Sequence, residues 1–206
     1  MKYGVNDLRG QFEVNKYGIC PIATAYADWS SMLLRAFSDE FKNKRNAYIA
    51  TTCCEEWRVF SNFLNWFNSN GQSFDKVKNL ALDKDLKSLW GNLYSPETCI
   101  YLPKELNTLL LMNNPNRDCL LGVYFDKESG KYRTQSKTTP SGVKIKSKRF
   151  TSELEAHHNY LLYKAGMLMW ASETYDIFYQ QYLVTAAEHL IHIVESGGIF
   201  HGQVEQ

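Results

Sequence analysis

Asp83-Lys84-Asp85 places a lysine between two carboxylates, within the run Ala81 to Leu86. On a strand, acids two residues apart share one face, a spacing that suits a hard divalent cation held by oxygen ligands. Such a pair could hold Mg2+, whose bound water would be an attacking nucleophile. In a second reading Lys84 acts as the general base, which requires burial or a neighbouring charge to depress its pKa. In a third, the aspartates are a salt-bridged or turn-capping pair without chemistry. The sequence leaves all three open. Its five histidines begin at His157, so the ordinary imidazole base is missing here. There is no Gly-rich phosphate loop, and no Ser or Cys nucleophile with a positioned His.

A second group of residues could bind rather than react. Residues 121–150 carry eight Lys and Arg against two acids, a local charge of +6 in a chain of net charge +1. Residues 151–206 carry Lys164 alone against seven acids, a local charge of −6. An overall balance near zero hides this asymmetry. A basic stripe on one sheet face is a footprint for phosphates, although lysines also protect exposed sheet edges.

The basic stretch has the pattern of three strands and a helix. Gly122 to Phe125 reads as a strand, and Asp126 to Gly130 as a hairpin turn with Gly130 available for positive φ. Lys131 to Lys137 alternates, with Arg133, Gln135 and Lys137 on one face. After a turn at Thr139 to Gly142, Val143 to Phe150 alternates again, with Lys144, Lys146 and Lys148 opposite Val143 and Ile145. Ser152 and Glu155 form a capping box. The helix they open carries an apolar stripe of Leu154, Leu161, Leu162, Ala165, Leu168 and Met169, with His158 on it.

Elsewhere the pattern is mainly helical. Tyr26 to Phe41 carries Trp29, Leu33 and Phe37, and Glu55 to Asn68 carries Trp57, Phe60, Phe63, Leu64 and Phe67. Such dense aromatics at helical spacing are expected to form a core. Around the acidic turn the order is strand, loop, strand at Thr98 to Leu102, then a helix from Pro103 to Met112. A last helix is expected over Thr174 to Val194, with Ile177, Phe178, Leu183, Val184, Ala187, Leu190, Ile191 and Val194 apolar and His189 and His192 one turn apart. Adjacent Cys53 and Cys54 make a poor zinc chelate.

Gly122-Val123-Tyr124, Gly130-Lys131-Tyr132-Arg133, Phe150-Thr151-Ser152-Glu153, Glu155-Ala156 and Tyr160 together resemble the APETALA/ethylene-response-factor type of DNA-binding domain. That type also occurs in phage homing endonucleases. The resemblance covers about 45 residues and implies a sheet lying in the DNA major groove with a helix behind it. It implies that Arg133, Gln135, Lys137, Lys144, Lys146 and Lys148 face DNA. The strand-loop-strand-helix segment, with Cys99-Ile100-Tyr101 and Pro103 to Asn107, is similar to the ββα-metal unit of HNH nucleases, and Asp83-Lys84-Asp85 stands where that family has histidines. This second resemblance implies a metal site at Asp83, Asp85 and Asn107, with Asp83, Lys84 and Asp85 as candidate catalytic residues and Mg2+ as cofactor.

The expected fold is therefore α+β: N-terminal helices with a degenerate HNH-like unit over residues 1–115, a three-stranded antiparallel sheet packed on a helix over 119–170, and a C-terminal helix over 171–206. The expected function is binding of double-stranded DNA by a phage HNH-endonuclease-like protein with a degenerate nuclease site, acting as a regulator or anti-host factor. The alternatives are an active Mg2+-dependent nicking or homing endonuclease, and a protein-interaction module or homo-oligomer acting through the acidic C-terminal helices. No apolar run approaches a membrane span and the N-terminus lacks an apolar leader core, so the expected place is the cytoplasm, the host's if phage-encoded. Reduced cysteines are expected there.

Overall fold

The structure is a computed structural model that describes residues 2–11, 22–70, 79–112, 118–134 and 148–202. The chain divides into two compact units, Met1–Thr108 and Leu109–Glu205. Gln135, Lys137, Lys144 and Lys146 lie outside the described residues, as does most of the expected third strand.

In the first unit, α1 (Ala23–Phe37) buries Ala25, Trp29, Met32, Leu33 and Ala36, a single stripe at helical spacing. The helix expected to run to Phe41 stops at Ser38, whose backbone is extended. The Ser38 hydroxyl accepts from the Phe41 N–H at 3.3 Å and opens a separate helix, α2 (Asp39–Lys44). A serine acceptor at this position competes with helix continuation, which explains the break. The next expected helix is similarly divided into a 3-10 turn (Glu56–Arg58) and α3 (Phe60–Ser69). Its aromatic positions are core, as expected: Trp57, Phe60, Phe63, Leu64 and Phe67 are buried. Trp29 Nε1 donates to the Trp57 carbonyl at 2.6 Å. The Trp57 and Phe63 rings meet edge to face, with centroids 5.0 Å apart, a favoured aromatic geometry.

Two small sheets complete this unit. β1 (Thr52–Cys53) pairs in parallel with β3 (Leu93–Tyr94). β2 (Leu80–Asp83) pairs antiparallel with β4 (Ile100–Pro103), with Asp83 opposite Ile100. Between β2 and β3 lies a single-turn helix, α4 (Asp85–Ser88), and α5 (Lys104–Leu110) follows β4 directly. The order strand, loop, strand, helix is thus present.

The second unit is a three-stranded antiparallel sheet with two long helices. Its order is β5 (Val123–Asp126), β6 (Lys131–Thr134), β7 (Arg149–Phe150). Gly130 takes φ 63° in the β5–β6 hairpin. Ser152 Oγ accepts from the Glu155 N–H at 3.4 Å at the start of α6 (Glu153–Thr174), as the capping-box pattern predicts. α6 packs against all three strands, and α7 (Ile177–Glu195) runs along α6.

The helix faces differ from the expected stripes. α6 buries Ala156, Tyr160, Leu161, Ala165, Leu168 and Ala171, whereas Leu162 and Met169 are exposed. His157, and not His158, is fully buried. On α7 the seam is Leu183, Ala186, Ala187 and Leu190. Stepping back from that seam by three or four residues reaches 179 and 180, so Ile177 and Phe178 fall off it. They are 82% and 60% exposed. Among the described residues no helix is long and apolar enough to cross a membrane.

Candidate functional site

The acidic turn is folded by its own polar groups. Asp83 ends β2 and Asp85 begins α4, so the two carboxylates do not share a strand face. That corrects the metal-pair geometry read from the sequence. Asp83 Oδ1 accepts from the N–H groups of Asp85 at 3.0 Å and Leu86 at 2.9 Å. These are the first N–H groups of α4, which have no partner inside the helix. Lys84 Nζ donates to Asp85 Oδ1 at 2.5 Å and to the Gly91 carbonyl at 2.9 Å. All three residues are buried, at 3%, 2% and 7% exposure.

Burial, with the Asp85 charge beside it, pushes the Asp83 carboxyl up to about 7, against the pull of its two N–H donors and Lys84. Lys84 neutralises Asp85 by direct contact. An ammonium group thus stands against Asp85, where a divalent cation would have to bind, and a metal would need to displace it. Asn107 is half-buried on α5. Asn92 Oδ1 is buried without a hydrogen-bond partner among the described residues. Among those residues, no three His, Cys, Asp or Glu side chains gather into a group that could hold a metal ion.

The loop after α4 is strained. Leu89 and Trp90 take φ of 52° and 65°, a left-handed conformation that L side chains adopt at about 1–2 kcal/mol each. The Trp90 N–H bonds back to the Asp85 carbonyl at 2.8 Å, and the indole is buried. Ser88 Oγ donates to the Lys84 carbonyl and accepts from the Gly91 N–H at 2.9 Å. Nearby, Arg35 donates to the Tyr94 hydroxyl at 3.2 Å and Tyr101 donates to Asp28 at 2.8 Å. The bonds of Asp83, Lys84, Ser88 and Trp90 all lie within the turn and brace it.

Cys53 and Cys99 are buried, and burial holds both thiols well above the usual thiol range. On α7, His189 is half-buried and His192 is exposed, and the His189 ring packs edge to face on Phe200.

The outward sheet face has a different character. Opposed residues on antiparallel strands share a face. Val123 opposite Thr134 is buried on the α6 side, and Phe125, opposite Tyr132 and then Phe150, has the same parity while remaining 45% exposed. Tyr124 opposite Arg133, and Arg133 opposite Arg149, therefore point outward. Asp126, opposite Lys131, is also outward. Arg133 Nη1 donates to Asp126 Oδ2 at 3.3 Å, and Arg149 Nε lies 3.9 Å from that same oxygen. The Arg133 guanidinium stands 5.7 Å over the Tyr124 ring centroid.

Of the six expected DNA-facing residues, Arg133 is placed on this face. Lys148 is exposed and immediately precedes β7, with the parity of inward Phe150. Arg149 takes the outward place, and it was missed. A signal was present: Val143 and Ile145 are odd-numbered and Phe150 is even, so the apolar phase changes before the strand ends.

The comparisons with known proteins gave no match to any family model, to any curated protein or to any solved structure.

Proposed function

We propose that this chain binds double-stranded DNA through the outward face of β5–β6–β7, and that its acidic turn is a structural element and not a nuclease centre. The carrying observation is the cross-strand pair Arg133 and Arg149, on the sheet face opposite the buried Val123–Thr134 pair. A helix-backed sheet presenting two guanidinium groups beside an exposed tyrosine has the shape and charge to enter a major groove. The basic excess of residues 121–150 supports the same reading. The protein would then act as a DNA-binding regulator or anti-host factor, in keeping with its resemblance to the phage endonuclease-like proteins.

The non-catalytic half of the reading rests on the partners of the acids. Asp83 is engaged by two backbone N–H groups and Asp85 by Lys84. Fluorescence anisotropy with a labelled random-sequence duplex tests the binding. The double variant Arg133→Gln/Arg149→Gln is expected to bind at least about tenfold more weakly, with an unchanged unfolding curve. Affinity equal to that of the native chain would refute this use of the face.

A further inference from the structure

We infer that Asp126 is a positioning residue for sequence reading: its carboxylate holds Arg133, beside Arg149, in a conformation suited to a base edge and disfavours the use of Arg133 on phosphate. The inference rests on the DNA-binding reading and concerns what that face recognises.

The two arginines lie directly opposite each other on neighbouring strands. Like charges so placed repel, and unrestrained guanidinium groups would splay apart. One oxygen, Asp126 Oδ2, attracts both, at 3.3 Å to Arg133 and 3.9 Å to Arg149. The other oxygen is engaged by the hairpin: Asp126 Oδ1 lies 3.2 Å from the Glu128 N–H and 3.4 Å from the Ser129 N–H. The carboxylate is therefore anchored to the β5–β6 turn, and it cannot follow the arginines if they move. Arg133 is further confined between this carboxylate and the Tyr124 ring.

A carboxylate in the middle of a basic face is a poor choice for backbone binding. It cancels one of the two positive charges and repels an approaching phosphate. It suits base recognition better. An arginine held in one conformation gives up less freedom on binding, and a fixed guanidinium fork matches O6 and N7 of guanine. A carboxylate at the same place can accept from the N4 amino group of cytosine. The expected target is therefore a duplex containing a G·C pair at the position Arg133 reaches.

Asp126→Asn separates the two roles of this side chain. The amide oxygen can still accept from Glu128 and Ser129, so the hairpin is retained, while the charge that holds Arg133 is lost. The full-length native chain and this variant would each be used to select from a randomised duplex library. Selected and scrambled duplexes would then be compared across a salt series. The native chain is expected to enrich a G·C-containing site. The variant is expected to lose about tenfold in preference for that site while binding scrambled duplex more tightly, with a steeper salt dependence.

An unchanged preference in the variant, or a parallel loss for every duplex, would overturn the role of Asp126. So would a native chain that binds duplex DNA without enriching any sequence. A native chain that binds no duplex at all would overturn the DNA reading itself, and this assignment with it.

Discussion

Gly122 lies against the ring of Tyr160, so closely that a Cβ on Gly122 would come within 2.1 Å of Tyr160 Cγ. Gly122 stands immediately before β5 and Tyr160 is on the buried face of α6, so this contact sets how near the sheet lies to its helix. Gly122 also takes φ 77°. An alanine there would meet both a left-handed backbone and a filled volume. Gly122→Ala is expected to destabilise the second unit by roughly 2–5 kcal/mol, the combined scale of a strained φ and core overpacking. Urea unfolding followed by near-ultraviolet circular dichroism would measure it, and a loss below about 1 kcal/mol would show that the contact relaxes easily.

His157 gives a prediction for the same unit in acid. Its Nδ1 lies 2.8 Å from the Leu121 carbonyl, and the Phe200 N–H donates to its Nε2 at 3.0 Å. A carbonyl can only accept and an N–H can only donate, so the neutral ring must carry its proton on Nδ1. Burial lowers the pKa of His157 below the ordinary 6.5, with His158 and His201 adding to the effect. The unfolded chain then binds a proton that the folded chain refuses. The stability contribution is present above 6.5 and is lost as pH falls through the folded value. Nitrogen-detected NMR should show the Nδ1–H tautomer at neutral pH. An Nε2–H tautomer would contradict the assignment.

Asp83 has the opposite sign. Its folded pKa is raised, to about 7, above the ordinary 3.8. The folded state holds a proton that the unfolded chain releases between those values. The contribution of Asp83 is thus fully present below 3.8 and is lost as pH rises through about 7. Asp83→Asn keeps an oxygen for the Asp85 and Leu86 N–H groups and carries no charge. The variant is expected to gain in melting temperature on the native chain as pH rises from about 4 to about 8. Parallel pH profiles for the two proteins would show that Asp83 does not titrate in this range.

These residues show where the sequence was informative. Local signals were reliable: the Ser152 cap, the Gly130 turn and the aromatic spacing of Trp57 to Phe67 all reappear as structure. Boundaries set by competing local acceptors were less legible, as at Ser38, where one hydroxyl divides an apolar stripe that otherwise continues. The inward His157 was hidden because its reason is tertiary. Its two partners, Leu121 and Phe200, are 36 and 43 residues away. At the candidate interface, alternation identified Arg133, but strand register decided in favour of Arg149. Lys148, one residue before Arg149, has the opposite parity and so falls on the other face. At the acidic turn, the two-residue spacing of Asp83 and Asp85 suggests a strand face, whereas the chain leaves the strand at Asp83 and begins a helix at Asp85.

Arg149 supplies a prediction that isolates backbone binding from reading. Its side chain is twice as exposed as that of Arg133, at 58% against 29%, and its link to Asp126 is the longer one. It is the better placed of the two to reach a phosphate. Arg149→Gln is expected to lower the slope of log K against log salt by roughly 0.9, about one phosphate contact, and to weaken all duplexes alike. An unchanged slope with altered sequence preference would exchange the roles of the two arginines.

The acidic turn gives the last prediction. In the metal reading of this turn, both carboxylates would offer oxygens to one cation whose bound water attacks the phosphodiester. Here the Lys84 ammonium contacts Asp85 at 2.5 Å, and Asp83 Oδ1 is committed to the start of α4. Binding a cation would break the buried Lys84–Asp85 pair and leave the lysine charge without its acid, at a cost of several kcal/mol. Supercoiled plasmid incubated with the protein and Mg2+ or Mn2+ is therefore expected to stay intact. Lys84→Met is expected to destabilise the first unit by about 3–5 kcal/mol, because Asp85 would be buried without its counter-ion. Nicking by the native chain that disappears in Asp83→Asn would instead establish a working nuclease centre. Asp83→Asn makes the discrimination possible because it removes the metal-binding charge while keeping the acceptor on which the turn depends.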